Sequence, residues 1–475
     1  MMWMNYYFNQ DWLATLHERE HEEASLDAHR FVTNPINAFL LIKRLTLDLK
    51  SVERIVENDI LKDLFQDILE MQNKMAFPSI TDLAESVIAL VRIQETYNLS
   101  SASMAKGELN DILYNTELTA GDCLEIGIIS AGSNTFAAEN WFAEALHRYE
   151  KEDVKTAKKS DLLENLSYTM YIQGNIRKSL IYINELLKEN PTHTKAVYLK
   201  AYFESKLRRK DNQNEDDIKK KIHDVSGDAY YLHCRLDAVI PMNIRSRLKC
   251  RYTDKGNAFL RLARVKEEEL YLKPLIMKYH DIIYDREIET LISNAMQEML
   301  PPTSVEPNKH QTEIPRYRVA KIAWFDENNN QFVAKVNQRA SDIMGLYLTS
   351  AEKLQIVNYG IGGQYDPHFD FFREGEYENT VYEDNNRIAT ILFYLSDVKQ
   401  GGATVFPYLN LTIRPQKGAA VVWYNLHRNG TGNIRTLHAA CPVVVGSKWT
   451  INKWFHSNYQ EFIRPCGLRS SWDED

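Results

Sequence analysis

No stretch of this 475-residue chain approaches the roughly 20 consecutive apolar residues that a membrane-crossing helix needs, which excludes a helical span. A basic field is missing too. The 57 Lys and Arg against 65 Asp and Glu leave a formal charge of −8, which argues against nucleic acid as a partner. Residues 1–12 carry neither a basic run nor an apolar run, so they do not read as a secretory signal. Cysteine is scarce. The five (Cys123, Cys234, Cys250, Cys441 and Cys466) include no Cys-x-x-Cys pair, which speaks against a structural zinc site. Cys234 with Cys250 and Cys441 with Cys466 are loosely spaced pairs. In an oxidising compartment they make two disulfides and leave Cys123 free; in a reducing one all five are buried thiols.

What is present is a chain too long for one core. At about 150 residues per domain it holds roughly three, and its 44% apolar and 26% charged residues are those of a globular protein. Four Asn-x-Ser/Thr sequons, at Asn98, Asn165, Asn410 and Asn429, are glycosylation candidates and lean toward a secretory compartment. Residues 34–60 open on Asn34-Pro35 and place Phe39, Ile42, Leu45, Leu49, Val52 and Val56 at steps of three or four. That narrow stripe predicts a long amphipathic helix, in a coiled coil or simply facing a core. A second helix follows Pro78. Residues 1–95 are therefore expected to be a helical module for self-association.

Residues 96–205 are helical with a hint of repeat. The run Tyr171-Ile-Gln-Gly-Asn-Ile-Arg-Lys-Ser179, closed at Pro191, has the turn and terminator of a tetratricopeptide unit, and Gly132 through Tyr149 is a weaker copy 42 residues earlier. Stacked units of this kind present a concave face. Tyr168, Tyr171 and Tyr202 are candidates to line it, against the plainer reading that they pack between helices. Residues 206–224 are dense in charge and read as a solvated linker or surface helix rather than a binding patch, within a charged linker over 206–255 that holds Cys234 and Cys250. From 256 to 475 the helical period gives way to short β-branched and aromatic runs at 354–359, 388–395, 419–424, 440–445 and 450–455. These predict a sandwich or barrel of jelly-roll type with a core over about 350–457. The expected whole is an α+β multidomain chain.

Within that core, Tyr359-Gly-Ile-Gly-Gly-Gln-Tyr-Asp-Pro-His368-Phe-Asp370 sets a His and an Asp two residues apart. On an extended strand, i and i+2 share a face. His438 follows 68 residues after Asp370. Two imidazoles and one carboxylate make the facial triad of non-haem iron(II) oxygenases, which leaves open positions for a chelating 2-oxo acid and dioxygen. His-x-Asp alone is a weak signal; the distal His and a following Lys448 strengthen it. Lys448, on a strand neighbouring that of His438, can face the barrel interior, where a buried ammonium needs an anion such as the distal carboxylate of 2-oxoglutarate. His456, eight residues on, is placed to reach the metal-proximal carboxylate, and Tyr359 is a further candidate at the cosubstrate. A zinc hydrolase also uses two His and one Asp, but it has no need of Lys448.

At these residues the chain closely resembles the α subunit of collagen prolyl 4-hydroxylase. The resemblance runs through Gln364-Tyr-Asp-Pro-His-Phe-Asp370, Arg387-Ile-Ala-Thr390, Gly401-Gly-Ala-Thr-Val-Phe-Pro407, Trp423-Tyr-Asn425, His438-Ala-Ala-Cys-Pro442, Lys448-Trp449 and Asn452-Lys-Trp-Phe-His456. Upstream, Asn34-Pro-Ile-Asn-Ala-Phe39 resembles the family's dimerisation region. Leu118-Thr-Ala-Gly-Asp-Cys123 and the run from Leu166 to Gly174 resemble its peptide-binding domain. The resemblance implies a double-stranded β-helix (jelly-roll) catalytic domain. It implies Fe(II) on His368, Asp370 and His438, and 2-oxoglutarate on Lys448 with His456 assisting its binding and decarboxylation. It further implies O2 as co-substrate, L-ascorbate to restore ferrous iron, and the two cysteine pairs as intrachain disulfides. The implied substrate is peptidyl proline in collagen-like X-Pro-Gly sequence. The implied partner is protein disulfide isomerase as β subunit of an α2β2 tetramer in the endoplasmic reticulum lumen. The chain departs from the family in showing no signal peptide, which points to an altered start, since cysteines and sequons are kept. The same chemistry on a non-collagen proline-rich protein, and a catalytically idle peptide-binding subunit, are the alternatives. An idle subunit would have lost the triad or the Lys, and both are present.

Overall fold

The computed structural model describes residue 22 and residues 24–50, 70–210, 225–236, 239–301, 316–373 and 385–467. The chain divides into two units, residues 1–222 and 223–475. Among the described residues no helix is long and apolar enough to cross a membrane.

The first unit is helical: α1 (Pro35–Lys43), α2 (Ile80–Tyr97), α3 (Ala120–Ala131), α4 (Thr135–Lys151), α5 (Lys159–Ile172), α6 (Ile176–Glu189) and α7 (Thr194–Lys210). Local chemistry sets the starts. Asn34 caps α1 ahead of Pro35, while Ser79 with Asp82 and Thr119 with Asp122 form capping boxes on α2 and α3. The stripe expected over 34–60 is interrupted: α1 passes into a π turn at Arg44–Asp48, and Val52 and Val56 lie outside the described residues. Phe39 is fully buried, and Asn37 and Lys43 reach Thr116 and Asp122, at 2.6 and 3.0 Å. α3/α4 and α5/α6 are successive helical hairpins, as the repeat predicts. The turn between α5 and α6 is made by Gly174 at φ +82°, a conformation that penalises any Cβ.

The second unit is a two-sheet antiparallel β structure with helices α8 (Val225–Arg235), α9 (Asp285–Glu298) and α10 (Gln331–Met344). Its strands are β1 (Cys250–Thr253), β2 (Val265–Leu272), β3 (Leu275–His280), β4 (Arg318–Val319), β5 (Lys321–Phe325), β6 (Leu354–Tyr359), β7 (Gln364–His368), β8 (Arg387–Tyr394), β9 (Gln400–Gly401), β10 (Thr404–Phe406), β11 (Leu411–Ile413), β12 (Ala420–Tyr424), β13 (His438–Ala440), β14 (Val443–Val445) and β15 (Lys448–His456). The large sheet has the order β1-β2-β3-β12-β8-β15-β6-β5. The small sheet has β11-β10-β13-β7-β4, and β9 pairs with β14. The non-consecutive order and the facing sheets are those of a jelly roll.

Period-two alternation divides each central strand. On β8 and β15 the outward residues Ile391, Phe393, Ile451 and Phe455 pack with Ile288, Leu291, Val333, Val336 and Ile343 of α9 and α10. The inward residues of β15 (Lys448, Thr450, Asn452 and Trp454) line a cavity instead. The run expected over 440–445 is two strands, because Cys441-Pro442 breaks the ladder.

Two expectations are overturned here. The stretch 206–255 is more than a solvated linker. Residues 211–224 lie outside the described ones, but α8 seats Tyr230 and Cys234 on a cluster with Ala403, Val405, Ala439 and Cys441. That packing brings together two sulfurs 207 residues apart in sequence: Cys234 is bonded to Cys441, while Cys250 and Cys466 are exposed and unbonded. The pairings Cys234–Cys250 and Cys441–Cys466 are therefore not those of the structure. Cys123 is buried and free.

Candidate metal centre and its cavity

β13 and β7 pair antiparallel with His438 directly opposite His368. Asp370 lies just past the end of β7 rather than on an extended strand, and the chain turns there so that its carboxylate meets both imidazoles. Asp370 Oδ1 is 3.7 Å from His368 Nε2, and Oδ2 is 3.6 Å from His438 Nε2. The three residues offer ligand atoms that all lie within 4.8 Å of one another, and they are the one such cluster among the described residues. Each His is held the same way. His368 Nδ1–H donates to the Asp366 carbonyl at 2.7 Å, and His438 Nδ1–H to the Thr436 carbonyl at 3.0 Å. That fixes the tautomer and leaves both Nε2 lone pairs directed at the common point.

The carboxylate is also braced. The Thr390 hydroxyl donates to Asp370 Oδ2 at 2.7 Å and accepts from Asn425 Nδ2 at 2.9 Å. Tyr365 stacks on His368 with centroids 3.6 Å apart, and Trp423 meets His438 edge-on at 4.8 Å. Burial would push the Asp370 carboxyl up, but His438, His368 and Arg387 outweigh it and hold it at about 2. Burial, then the neighbouring His438, pushes His368 down to about 3. A neutral His368 imidazole and an ionised Asp370 carboxylate thus stand beside the His438 imidazole, the donor set of a facial-triad site.

Lys448 sits across the barrel from this cluster. The sequence places it on a neighbour of the His438 strand; in the structure it begins β15 of the large sheet while His438 is in the small sheet, and the two face each other across a cavity of about 430 Å³, open mouth included. Lys448 is 2% exposed. Its ammonium donates to Thr404 Oγ1 at 3.2 Å and lies over the Tyr359 and Tyr394 rings, at 5.4 and 5.8 Å. Among the described residues no carboxylate pairs with it, and burial alone pushes it down to about 7. A buried cationic donor in the cavity wall, facing a metal donor set, fits a dicarboxylic 2-oxo acid that chelates at one end and is held at the other.

Tyr359 lines the cavity and pairs with Lys448 in the ladder. His456 does not line it. Its Nδ1 and Nε2 are engaged by the Asn385 carbonyl and Glu352 Oε1, at 2.6 and 2.8 Å. Sequence reasoning gave no role to Thr390, Asn425, Thr404, Tyr365 or Trp423, although each stands inside a motif quoted above. In the helical unit, Tyr171 and Tyr202 join hydroxyl to hydroxyl at 2.9 Å, Tyr198 stacks beside Tyr202, and Tyr168 is half exposed. Of the sequons, Asn98 and Asn410 are exposed left-handed residues and Asn429 folds onto Thr431. Asn165 donates to the Asp161 carbonyl within α5.

The β architecture and this donor set define a class, and residues 354–456 match the family model described as the 2OG-Fe(II) oxygenase superfamily. Residues 10–111 match the prolyl 4-hydroxylase alpha-subunit N-terminal region, and residues 120–209 the prolyl 4-hydroxylase peptide-substrate-binding domain. Prolyl 4-hydroxylase subunit alpha-1 of Homo sapiens is 38% identical over 465 residues, covering 94% of this chain and 86% of that protein. Subunit alpha-2 of Caenorhabditis elegans is 37% identical over 481 residues, covering 98% and 89%. The chain belongs to the prolyl 4-hydroxylase alpha-subunit family. Among solved structures, the viral collagen prolyl hydroxylase of Paramecium bursaria Chlorella virus-1 in its 2-oxoglutarate complex is 23% identical with a TM-score of 0.31, covering 38% of this chain and 95% of that one.

Proposed function

We propose that this chain is the catalytic subunit of a procollagen-proline 4-dioxygenase, using Fe(II), 2-oxoglutarate and O2. The observation that carries the reading is the convergence of His368, Asp370 and His438 opposite a buried Lys448 that has no carboxylate partner among the described residues. When bound, ferrous iron with the 2-oxo acid and dioxygen supplies the oxidant that turns a proline C4–H into C4–OH as 2-oxoglutarate becomes succinate and carbon dioxide.

The chain's own residues bind, orient and exclude water. His368 and His438 present Nε2 because their Nδ1–H protons are spent on main-chain carbonyls. Thr390 holds one Asp370 oxygen in place. Lys448 and the Thr404 hydroxyl receive the distal carboxylate, with Tyr359 flooring that end. Tyr365 and Trp423 flank the two imidazoles and keep the centre dry. The sequence expectation that His456 assists the cosubstrate passes, on its contacts, to an indirect role through Glu352.

The proline-rich chain is held by the helical domain, where Tyr168, Tyr171, Tyr198 and Tyr202 supply the aromatic faces that a polyproline II strand stacks on. Ascorbate as the reductant, protein disulfide isomerase as the β subunit and the endoplasmic reticulum lumen as the compartment belong to the same reading. Its supports are the family, a disulfide-bonded Cys234–Cys441 and sequons at exposed Asn98 and Asn410. The test is carbon dioxide release from labelled 2-oxoglutarate by the chain co-expressed with the isomerase, in Fe(II) and ascorbate, with and without a (Pro-Pro-Gly)-type peptide. Peptide-stimulated release with 4-hydroxyproline formed, abolished by His438→Ala, is the expected result. Release indifferent to peptide rejects the collagen substrate, and its persistence in His438→Ala rejects the ligand set.

A further inference from the structure

A second buried polar cluster, that of Glu352, Arg387 and His456, lies at the other end of β15. Glu352, just before β6, is 7% exposed. Its Oε1 accepts from Arg387 Nε at 2.5 Å and faces His456 Nε2 at 2.8 Å, while Oε2 accepts from Arg387 Nη2 at 3.0 Å. The main chain of Glu352 is fixed as well: its N–H donates to the Trp454 carbonyl at 3.0 Å, and its carbonyl accepts from Lys453 Nζ. The Arg387 guanidinium is sandwiched between the rings of Trp454 and Phe372, at 4.2 and 5.0 Å. Its remaining arm points at the metal centre: Nη1 donates to the Asp370 carbonyl at 3.3 Å. The neighbouring Asn386 closes a second link to the same segment. Its Oδ1 accepts from Phe372 N–H and its Nδ2 donates to the Phe372 carbonyl, both at 2.9 Å.

The position of Asp370 explains why such a brace is needed. The residue lies past the end of β7, so no ladder hydrogen bond fixes its backbone. Its carboxylate must nevertheless hold the same relation to His368 and His438. The main chain of Asp370–Phe372 is instead tied sideways to the start of β8 by Arg387 and Asn386, and Arg387 is aimed by Glu352. His456 occupies the remaining side of that carboxylate and is itself anchored on the Asn385 carbonyl.

We propose that Glu352 is a positioning residue for the metal centre, which acts through Arg387 on the main chain of Asp370 and so sets the bite of the triad. The inference rests on the triad reading given above. Glu352 touches no ligand atom and does not itself line the cavity, so its effect on the metal is orientational. Outer partners of this kind change metal affinity by roughly 10- to 100-fold when removed.

The test is titration of the full-length chain with Co(II), followed by its visible absorption, in the wild type and three variants. Glu352→Gln keeps size and shape but puts an amide N–H2 against Arg387 or His456. The Co(II) dissociation constant is expected to rise by about tenfold, with a changed visible spectrum that reports altered ligand geometry. Asn386→Ala, which leaves the ion pair intact, weakens binding in the same direction and decides the matter should Glu352→Gln fold poorly. Glu287→Gln is the control. It breaks a comparable buried pair, Glu287 with Arg339 at 2.9 Å in both arms, between α9 and α10, and it leaves the cobalt spectrum and affinity unchanged. Wild-type affinity in both Glu352→Gln and Asn386→Ala, or an equal loss in Glu287→Gln, overturns the inference and leaves the triad standing. A wild-type chain without a cobalt spectrum overturns the triad and this inference together.

Discussion

Two cations, the buried Lys448 and the largely buried Arg387, stand at opposite ends of β15, and they have been treated in opposite ways. Arg387, which pairs with His456 across the β8/β15 ladder, has a bidentate carboxylate, two aromatic faces and a carbonyl. Burial alone would lower it, but Glu352 outweighs that and raises it. Lys448, which pairs with Tyr359, has one hydroxyl and two ring faces, and burial drags it down. Taking a charge out of water is costly unless a partner restores what hydration gave. A charge with its partner in place belongs to the scaffold, while one left short of a partner marks where a ligand must complete the site.

Substituting each cation by an apolar residue of similar length should therefore give effects of opposite sign. Arg387→Met strands Glu352 without its countercharge, and urea unfolding is expected to show a loss of about 3–5 kcal/mol. Unchanged stability would erase the contrast. Lys448→Met removes a charge that pairs with no carboxylate among the described residues, so the ligand-free chain should hold or gain stability. Calorimetric 2-oxoglutarate binding should meanwhile weaken by about 2–5 kcal/mol. A destabilised Lys448→Met would mean that the ammonium already has a partner.

The smallest effect is one of pH. Lys448 has a folded value of about 7 against an ordinary 10.5. Below pH 7 both the folded and the unfolded chain carry that proton. Between 7 and 10 only the unfolded chain does, so its contribution makes the ligand-free fold more stable as pH rises through that window. A bound dicarboxylate reverses the shift. Above pH 7, 2-oxoglutarate binding should take up a proton, and its affinity should fall by up to about tenfold per pH unit. Calorimetry in two buffers of different ionisation enthalpy reads the proton directly, and no uptake would place the distal carboxylate elsewhere.

Much of the catalytic core was legible because strands announce themselves by alternation. The runs at 354–359 and 450–455 are β6 and most of β15, and the period two that makes Ile451 and Phe455 core residues also turns Lys448 and Asn452 inward. The triad and Lys448 were readable as residue types with conventional roles. What could not be read is how the strands are ordered. Nothing in the spacing says that the Lys448 strand faces the His438 strand instead of adjoining it, or that α8 returns to bring Cys234 against Cys441. Glu352 and Asn386 were silent for a related reason. A single polar residue at a strand boundary has no periodic signature, and the partners of these two are drawn from three separate segments, around Phe372, Arg387 and 453–456. The stripe from Phe39 onward was a true signal with the wrong extent, since α1 yields to a π turn at Arg44.

The direct pairing of His438 with His368 also bears on how the site comes into being. The two donors are 438 − 368 = 70 residues apart in sequence, yet they are Cα partners in one ladder. The pair therefore exists only once that long loop has closed, late in the order of events set by loop entropy. An ion that binds the folded chain and not the unfolded one adds its free energy at that ladder. On the proposed ligand set the metal would be a latch on the small sheet as well as a reagent, and its removal is expected to loosen β7 from β13 first.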